Sequence, residues 1–142
     1  NQAHPDVRAV ISVNKGLVTQ ASAAIPVVPL YFAILYKVMK RAGNHENCIQ
    51  QIARLFTQKL YTPEGFRTDE NGFIRMDDYE LLPEIQEEVK KCWKAVTTDT
   101  VNQYCDIDGY WEDFYHMFGF HYSDIDYTQD VDANVEINGI VM

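Results

Sequence analysis

This chain carries only three cysteines, Cys48, Cys92 and Cys105. They are odd in number, far apart and without a C-x-x-C pair. That pattern excludes a disulfide framework and a zinc site, and it predicts a reducing, cytoplasmic setting. Cations are scarce as well: 12 Lys and Arg stand against 21 Asp and Glu, for a net charge of −9. No basic stripe is left to track a phosphate backbone, so nucleic acid is excluded as a partner. A small anionic cofactor needs only a local site and stays open. The sequence has no G-x-G-x-x-G and no N-x-S/T acceptor. Its longest apolar run, Ala21 to Tyr36, spans 16 residues and includes Ser22, Pro26 and Pro29. A membrane span needs about 20, and we expect none. Lys37, Lys40 and Arg41 do flank the run as a stop-transfer segment would, so a membrane-anchored interaction segment is the third of three readings. The chain opens on Asn1, with no initiator methionine or apolar leader, which predicts a fragment or a processed chain.

What is present is organised around Lys15 to Arg41. Val7 to Val13 is β-branched and nearly continuous, as a strand buried in a parallel sheet would be. Its neighbours are not evident in the sequence. Gly16 to Ser22 is small and polar. Val27 to Met39 is apolar nearly all round, the mark of a helix buried on every side. The two prolines force that helix to start or kink at Pro26 and Pro29, and Gly43 ends it. A polar, glycine-containing turn between a strand and a buried helix is where α/β proteins bind nucleotides and small substrates.

Further along, Asn44 is placed to cap a second helix, with Ile49, Ile52, Ala53, Phe56 and Leu60 on its apolar face. Asp69–Gly72 reads as a turn with a short strand, Phe73–Met76, beside it. Pro83 opens a third helix with the stripe Ile85, Val89, Cys92, Trp93 and Val96, which makes Cys92 a core thiol. Asp108 is placed to cap a fourth helix whose core face is Trp111, Phe114, Tyr115 and Phe118. The acidic tail from Ser123 to Met142 lacks a helical period and is expected to wrap the surface.

No metal site is expected. The acidic runs at Asp106 and Asp124 lack the glycine and closing glutamate of a calcium loop. His116 and His121 miss the i, i+4 spacing of a metal-binding helix. Tyr110, beside Gly109 at a helix start, reads either as a core aromatic or as a phenol facing a pocket. Leu17-Val18-Thr19 is a short aliphatic-x-Thr element after a strand. Alone it reads as a plain strand-to-helix turn.

SVNKGLVTQASAAIPVVPLYFAILYKVMK, GNHENCIQQI, RMDDYEL, GYWEDFYHMFGF and IDYTQDVD, in that order, resemble the C-terminal part of the trans-2-enoyl-CoA / enoyl-acyl-carrier-protein reductases. The resemblance runs from about Pro5 to Val135. It implies an α/β protein, Rossmann-like and short-chain-dehydrogenase-like when whole. This chain would then be mostly α-helical, with one parallel strand and a short hairpin. Residues 1–43 would hold the last Rossmann strand, the cofactor turn and the substrate-binding helix, and 44–142 a helical C-terminal region and tail.

The resemblance also implies NADH as cofactor, an enoyl thioester of CoA or acyl carrier protein as substrate, and the remainder of the same enzyme as partner. Leu17, Val18 and Thr19 would meet the cofactor, the backbone bonding the carboxamide and the Thr19 hydroxyl and amide the pyrophosphate. Val28, Phe32, Tyr36 and Tyr110 would meet the substrate. The first three of these share a helical face at i, i+4 and i+8, with Val27, Tyr31, Ile34 and Val38 opposite. The family's dinucleotide loop and its tyrosine–lysine pair match nothing here, so no catalytic residue is expected in this chain. The alternative is a stand-alone helical module that holds an acyl or apolar peptide ligand.

Overall fold

In the computed structural model, residues 8–130 are described. Two three-residue strands, β1 (Ile11–Val13) and β2 (Phe73–Arg75), pair in parallel with Ile11 opposite Phe73 and Val13 opposite Arg75. The expected strand over Val7–Val13 is thus shorter; Val7 itself lies outside the described residues. The hairpin is not formed. Asp69 closes its turn by accepting the amides of Asn71 and Phe73, and the segment before it supplies no strand. Phe73–Arg75 pairs instead with β1, so one parallel neighbour of β1 lies within this chain.

After β1 come a one-turn helix, α1 (Gln20–Ala23), and the long α2 (Val28–Ala42). Pro26 and Pro29 set that order, since neither donates a backbone hydrogen bond. The reversal between α1 and α2 puts Val27 at φ 75, a costly conformation for a β-branched residue. Gly43 ends α2 in the left-handed conformation at φ 74. The core is built around α2: Ile34, Leu35, Tyr36 and Met39 are fully buried. Against it pack α4 (Pro83–Ala95) through Ile85, Val89 and Cys92, and α6 (Ile107–Met117) through Tyr110. Pro83 opens α4 and Cys92 is a core thiol, as expected. The short α5 (Val101–Tyr104) links them.

Three expectations fail locally. Asn47, not Asn44, caps α3 (Cys48–Arg54) through a reciprocal bond with Gln50; the amide of Asn44 is already spent on Met39 in closing α2. After α3 the chain widens into a π-helix, Leu55–Leu60. The side chains this segment buries are Gln51 and Arg54, while Ile49, Ile52 and Phe56 stay exposed. Arg54 explains the inversion: its guanidinium donates to both Glu46 oxygens, to Asp78 and to the Met76 carbonyl, and lies over the Tyr79 ring. A saturated arginine fork of this kind can be buried where a lone charge cannot.

In α6 the cap is Asp106, which accepts the Gly109 amide at 3.1 Å, and not Asp108. The buried face is Gly109, Tyr110 and Asp113, whereas Trp111, Tyr115 and Phe118 are exposed. Tyr110 joins the core cluster and Asp113 is held by His45; beside them a Cβ on Gly109 would stand 2.1 Å from Lys40 Nζ. A larger residue there would have to displace the Lys40–Asp106 pair. The tail through residue 130 is non-helical, and Val131–Met142 lie outside the described residues. No helix among the described residues is long and apolar enough to cross a membrane, and they contain no group of side chains able to hold a metal ion.

Candidate functional site

The turn from Lys15 to Thr19 is held residue by residue by side chains. The Lys15 amide donates to Gln51 Oε1 at 3.2 Å and the Gly16 amide to Glu80 Oε2 at 2.6 Å. The Val18 amide donates to the Tyr36 hydroxyl at 3.0 Å, and the Thr19 amide to Ser22 Oγ at 2.7 Å. Of the carbonyls, Gly16 accepts from Lys15 Nζ at 3.2 Å and Leu17 from Ser22 Oγ at 3.1 Å. Three groups stand apart: among the described residues nothing accepts from the Leu17 N–H or donates to the Lys15 or Val18 C=O. Backbone polar groups in folded proteins are normally paired. The Leu17 donor, the one open amide of the turn, beside the open Val18 acceptor is the complement of a primary carboxamide.

The structure gives Thr19 a different job from the one expected. It caps only the single turn of α1, and its hydroxyl and amide are both engaged with Ser22 in a reciprocal cap. The long helix starts nine residues later, at Val28.

Both sides of α2 reach this turn. Tyr36 holds Val18. Tyr31, assigned above to the opposite face, donates its phenol to Glu80 Oε1 at 2.7 Å, and the other oxygen of that carboxylate takes the Gly16 amide. Burial, aided by the Glu80 bond, raises the Tyr31 phenol to about 12. Burial likewise raises Tyr36. The Phe32 and Tyr36 rings stack at 6.1 Å and 2°. A Cβ on Gly16 would lie 2.5 Å from Phe32 Cε1, so glycine is required where the turn touches the helix.

Val18, Phe32, Tyr36 and Tyr110 share one buried cluster, with Val28 packed at its edge. The four candidate substrate residues are thus brought together, but they do not line one common cavity. Tyr110 alone borders a distinct apolar groove of about 220 Å³, with Pro29, Ala33, Cys105, Ile107 and Trp111. Its hydroxyl is buried without a hydrogen-bond partner, and burial raises its pKa. Tyr110 is therefore both a core aromatic and a phenol at a pocket edge.

Lys15, Gln51, Glu80, His45 and Asp113 carry the site's polar scaffold and escaped the sequence reading. His45 Nε2 meets Asp113 Oδ2 at 3.0 Å, and its ring stands edge-on to Tyr36 at 4.5 Å. Lys15 is 2% exposed and its ammonium lies over the Tyr36 ring at 4.6 Å. Burial lowers it from 10.5 to about 8, against the pull of Asp113, Glu80 and Glu46. The sequence signal was a lysine next to a glycine at the head of the strand-to-helix turn.

Two family models match the chain in tandem. Residues 1–61 match the trans-2-enoyl-CoA reductase catalytic region, and residues 68–131 match the enoyl reductase FAD binding domain. Along most of its length the chain resembles part of the trans-2-enoyl reductases. A curated relative from Cytophaga hutchinsonii, an enoyl-[acyl-carrier-protein] reductase [NADH], is 51% identical over 134 residues, which are 94% of this chain and 34% of that protein. One from Coxiella burnetii, of the same name, is 50% identical over 135 residues, 95% of this chain and 33% of the relative. The solved trans-2-enoyl-CoA reductase of Treponema denticola, in complex with NAD, superimposes with a TM-score of 0.79 at 47% identity, over 92% of this chain and 33% of that one. The chain thus spans about a third of the length of the relatives it matches.

Proposed function

We propose that this chain supplies the nicotinamide-binding turn and the acyl-facing helix of a cytoplasmic, NADH-dependent reductase. Its substrate is the carbon–carbon double bond of a trans-2-enoyl thioester, carried on CoA or acyl carrier protein. The single observation that carries this reading is the open Leu17 N–H and Val18 C=O in a turn whose other amides are all anchored. NADH, when bound, supplies the hydride. The chain's own residues do the rest of what is argued here. Leu17 and Val18 hold the carboxamide by their backbone and so fix which face of the ring is presented. Thr19 closes the turn with Ser22. Phe32, Tyr36 and Val28 form the apolar wall behind it, and Tyr110 limits the acyl groove. The rest of a Rossmann-like enzyme brings the phosphate-binding loop and the proton donor, neither of which matches a residue of this chain.

One matching family model is described by FAD. Residues 68–130 do not fit that group well. The apolar groove they share with α2 is about 220 Å³, below the roughly 300 Å³ at which small-molecule sites begin. Of the larger depressions, the one beside Tyr31 and Trp93 lies open on the surface, and those beside Arg75 and beside Asp113 are lined mostly by charged and polar side chains that offer a flavin ring little apolar wall. NADH is the dinucleotide of this reading, and no flavin step is derived.

The direct test is the Leu17 amide resonance in the full-length enzyme, labelled with ¹⁵N-leucine and identified by its loss in Leu17→Ile. It should move on adding NADH and stay in place with ADP-ribose, which lacks the nicotinamide. A Leu17 amide indifferent to both ligands would remove the turn from the cofactor site. Turnover of NADH with a four-carbon enoyl thioester by the 142-residue chain alone would overturn the division of labour.

A further inference from the structure

We propose that Lys15 is a positioning residue for the nicotinamide: its buried ammonium pins the Gly16 carbonyl into the core and thereby aims the Leu17 N–H out of it. The inference rests on the turn being the carboxamide site. The geometry is that of one peptide unit. The Gly16 carbonyl and the Leu17 amide belong to the same planar trans group, so their C=O and N–H point in opposite directions. Lys15 Nζ takes the carbonyl at 3.2 Å from the buried side, and that leaves the amide facing away.

Gly16 makes this control necessary. Without a Cβ the peptide could rotate at little cost, and the nearby Phe32 ring forbids any larger residue that would stiffen it. Glu80 fixes the preceding amide and Tyr36 the following one. Lys15 holds the carbonyl in between.

A purely structural explanation fits Lys15 poorly. A buried charge is normally paired, yet among the described residues no carboxylate forms an ion pair with this ammonium. Asp113 on α6, Glu80 before α4 and Glu46 before α3 act on it only at longer range, opposed by Lys40 on α2. Its closest partners are a carbonyl and the face of Tyr36. A methionine of similar length would fill the space without desolvating a charge. Perturbed, under-paired lysines of this kind concentrate at functional sites.

The experiment is ligand binding by fluorescence titration in the full-length enzyme, wild type against Lys15→Met, with NADH and ADP-ribose as the two probes. Losing an aimed hydrogen bond should weaken NADH by about three- to tenfold and leave ADP-ribose unchanged. KM for NADH should rise while KM for the enoyl thioester holds. A charge-assisted bond is roughly twice as strong as a neutral one, so wild-type affinity for NADH, but not for ADP-ribose, should also fall as pH passes 8, and Lys15→Met should show no such step.

Equal losses for both ligands would make Lys15 a general scaffold residue and overturn the proposal. So would an unchanged NADH affinity together with a flat wild-type pH profile. If in either case the wild-type Leu17 amide still responds to NADH alone, the cofactor turn stands and only the role of Lys15 falls. If that amide does not respond, both fall. Should Lys15→Met not fold, the wild-type pH profile decides by itself.

Discussion

Replacing Lys15 by methionine should make the protein more stable near neutral pH, and by an amount that depends on pH. The lysine is held at about 8 in the fold against 10.5 in an exposed chain, because burial disfavours its charge. At 1.36 kcal/mol per pH unit this difference corresponds to about 3 kcal/mol. Between those two values the unfolded chain binds more protons than the folded one, so stability rises with pH across the window. The penalty is fully present below 8 and gone above 10.5. Lys15→Met removes it but leaves the Gly16 carbonyl unpaired, at a cost of about 1–3 kcal/mol. The variant should therefore equal or exceed wild type by about 0–2 kcal/mol at pH 7. By pH 10 the lysine's penalty has largely gone, and the comparison should have moved by about 2–3 kcal/mol in favour of wild type. Tyr31 and Tyr36, raised by burial, lower stability only as pH climbs past the ordinary phenol range, and they do so in both proteins, so they cancel in the difference. Urea unfolding of the full-length enzyme at pH 7 and pH 10 measures it. A stability difference that does not change between the two would refute the assignment of Lys15 as a buried, destabilised cation.

Gly16→Ala should destabilise by about 1–3 kcal/mol through overpacking, because the new methyl meets the Phe32 ring at 2.5 Å; the companion Phe32→Leu should restore part of the loss in a double-mutant cycle. Phe32→Ala should shift kcat/KM toward six- and eight-carbon enoyl thioesters over four-carbon ones. Ile34→Ala, on the sealed side of α2, should cost about 2–5 kcal/mol and leave that profile alone; the reverse outcome would reassign the faces of the helix. Arg54→Met should cost about 3 kcal/mol, measured by urea titration, since it strands the Glu46 carboxylate and leaves Asp78 with Lys59 alone.

Periodicity made the helices legible wherever one residue type fixed them. Pro29 and Gly43 bounded α2, and Pro83 opened α4, because proline and glycine act through backbone geometry that no partner can override. The faces of α3 and α6 were not legible. Apolar side chains marked Ile49, Ile52, Trp111 and Tyr115 for the core, yet Arg54 and Asp113 lie inside, each satisfied by a partner distant in sequence. Counting apolar residues cannot see such partners. The same limit applied at the site. Leu17-Val18-Thr19 could be placed on the turn from its spacing. That the amides of Lys15, Gly16 and Val18 are held by Gln51, Glu80 and Tyr36, and that the Thr19 hydroxyl is spent on Ser22, depends on contacts that no local pattern encodes. The supposed hairpin failed for a related reason: Phe73–Arg75 has strand character, but only the fold decides which edge it joins.

The anchoring of the turn also sets an order of events in time. Its holding groups lie 18, 36 and 64 residues further along the chain, at Tyr36, Gln51 and Glu80. Closing loops of that length costs entropy before any contact repays it, and such contacts form late. A ribosome adding roughly 5–20 residues per second needs several seconds to travel from Gly16 to Glu80. For that interval α2 can coil and begin to bury its apolar length while the Gly16 peptide swings freely. The proposed cofactor turn is thus completed late in the nascent chain, when the carboxylate of Glu80 arrives.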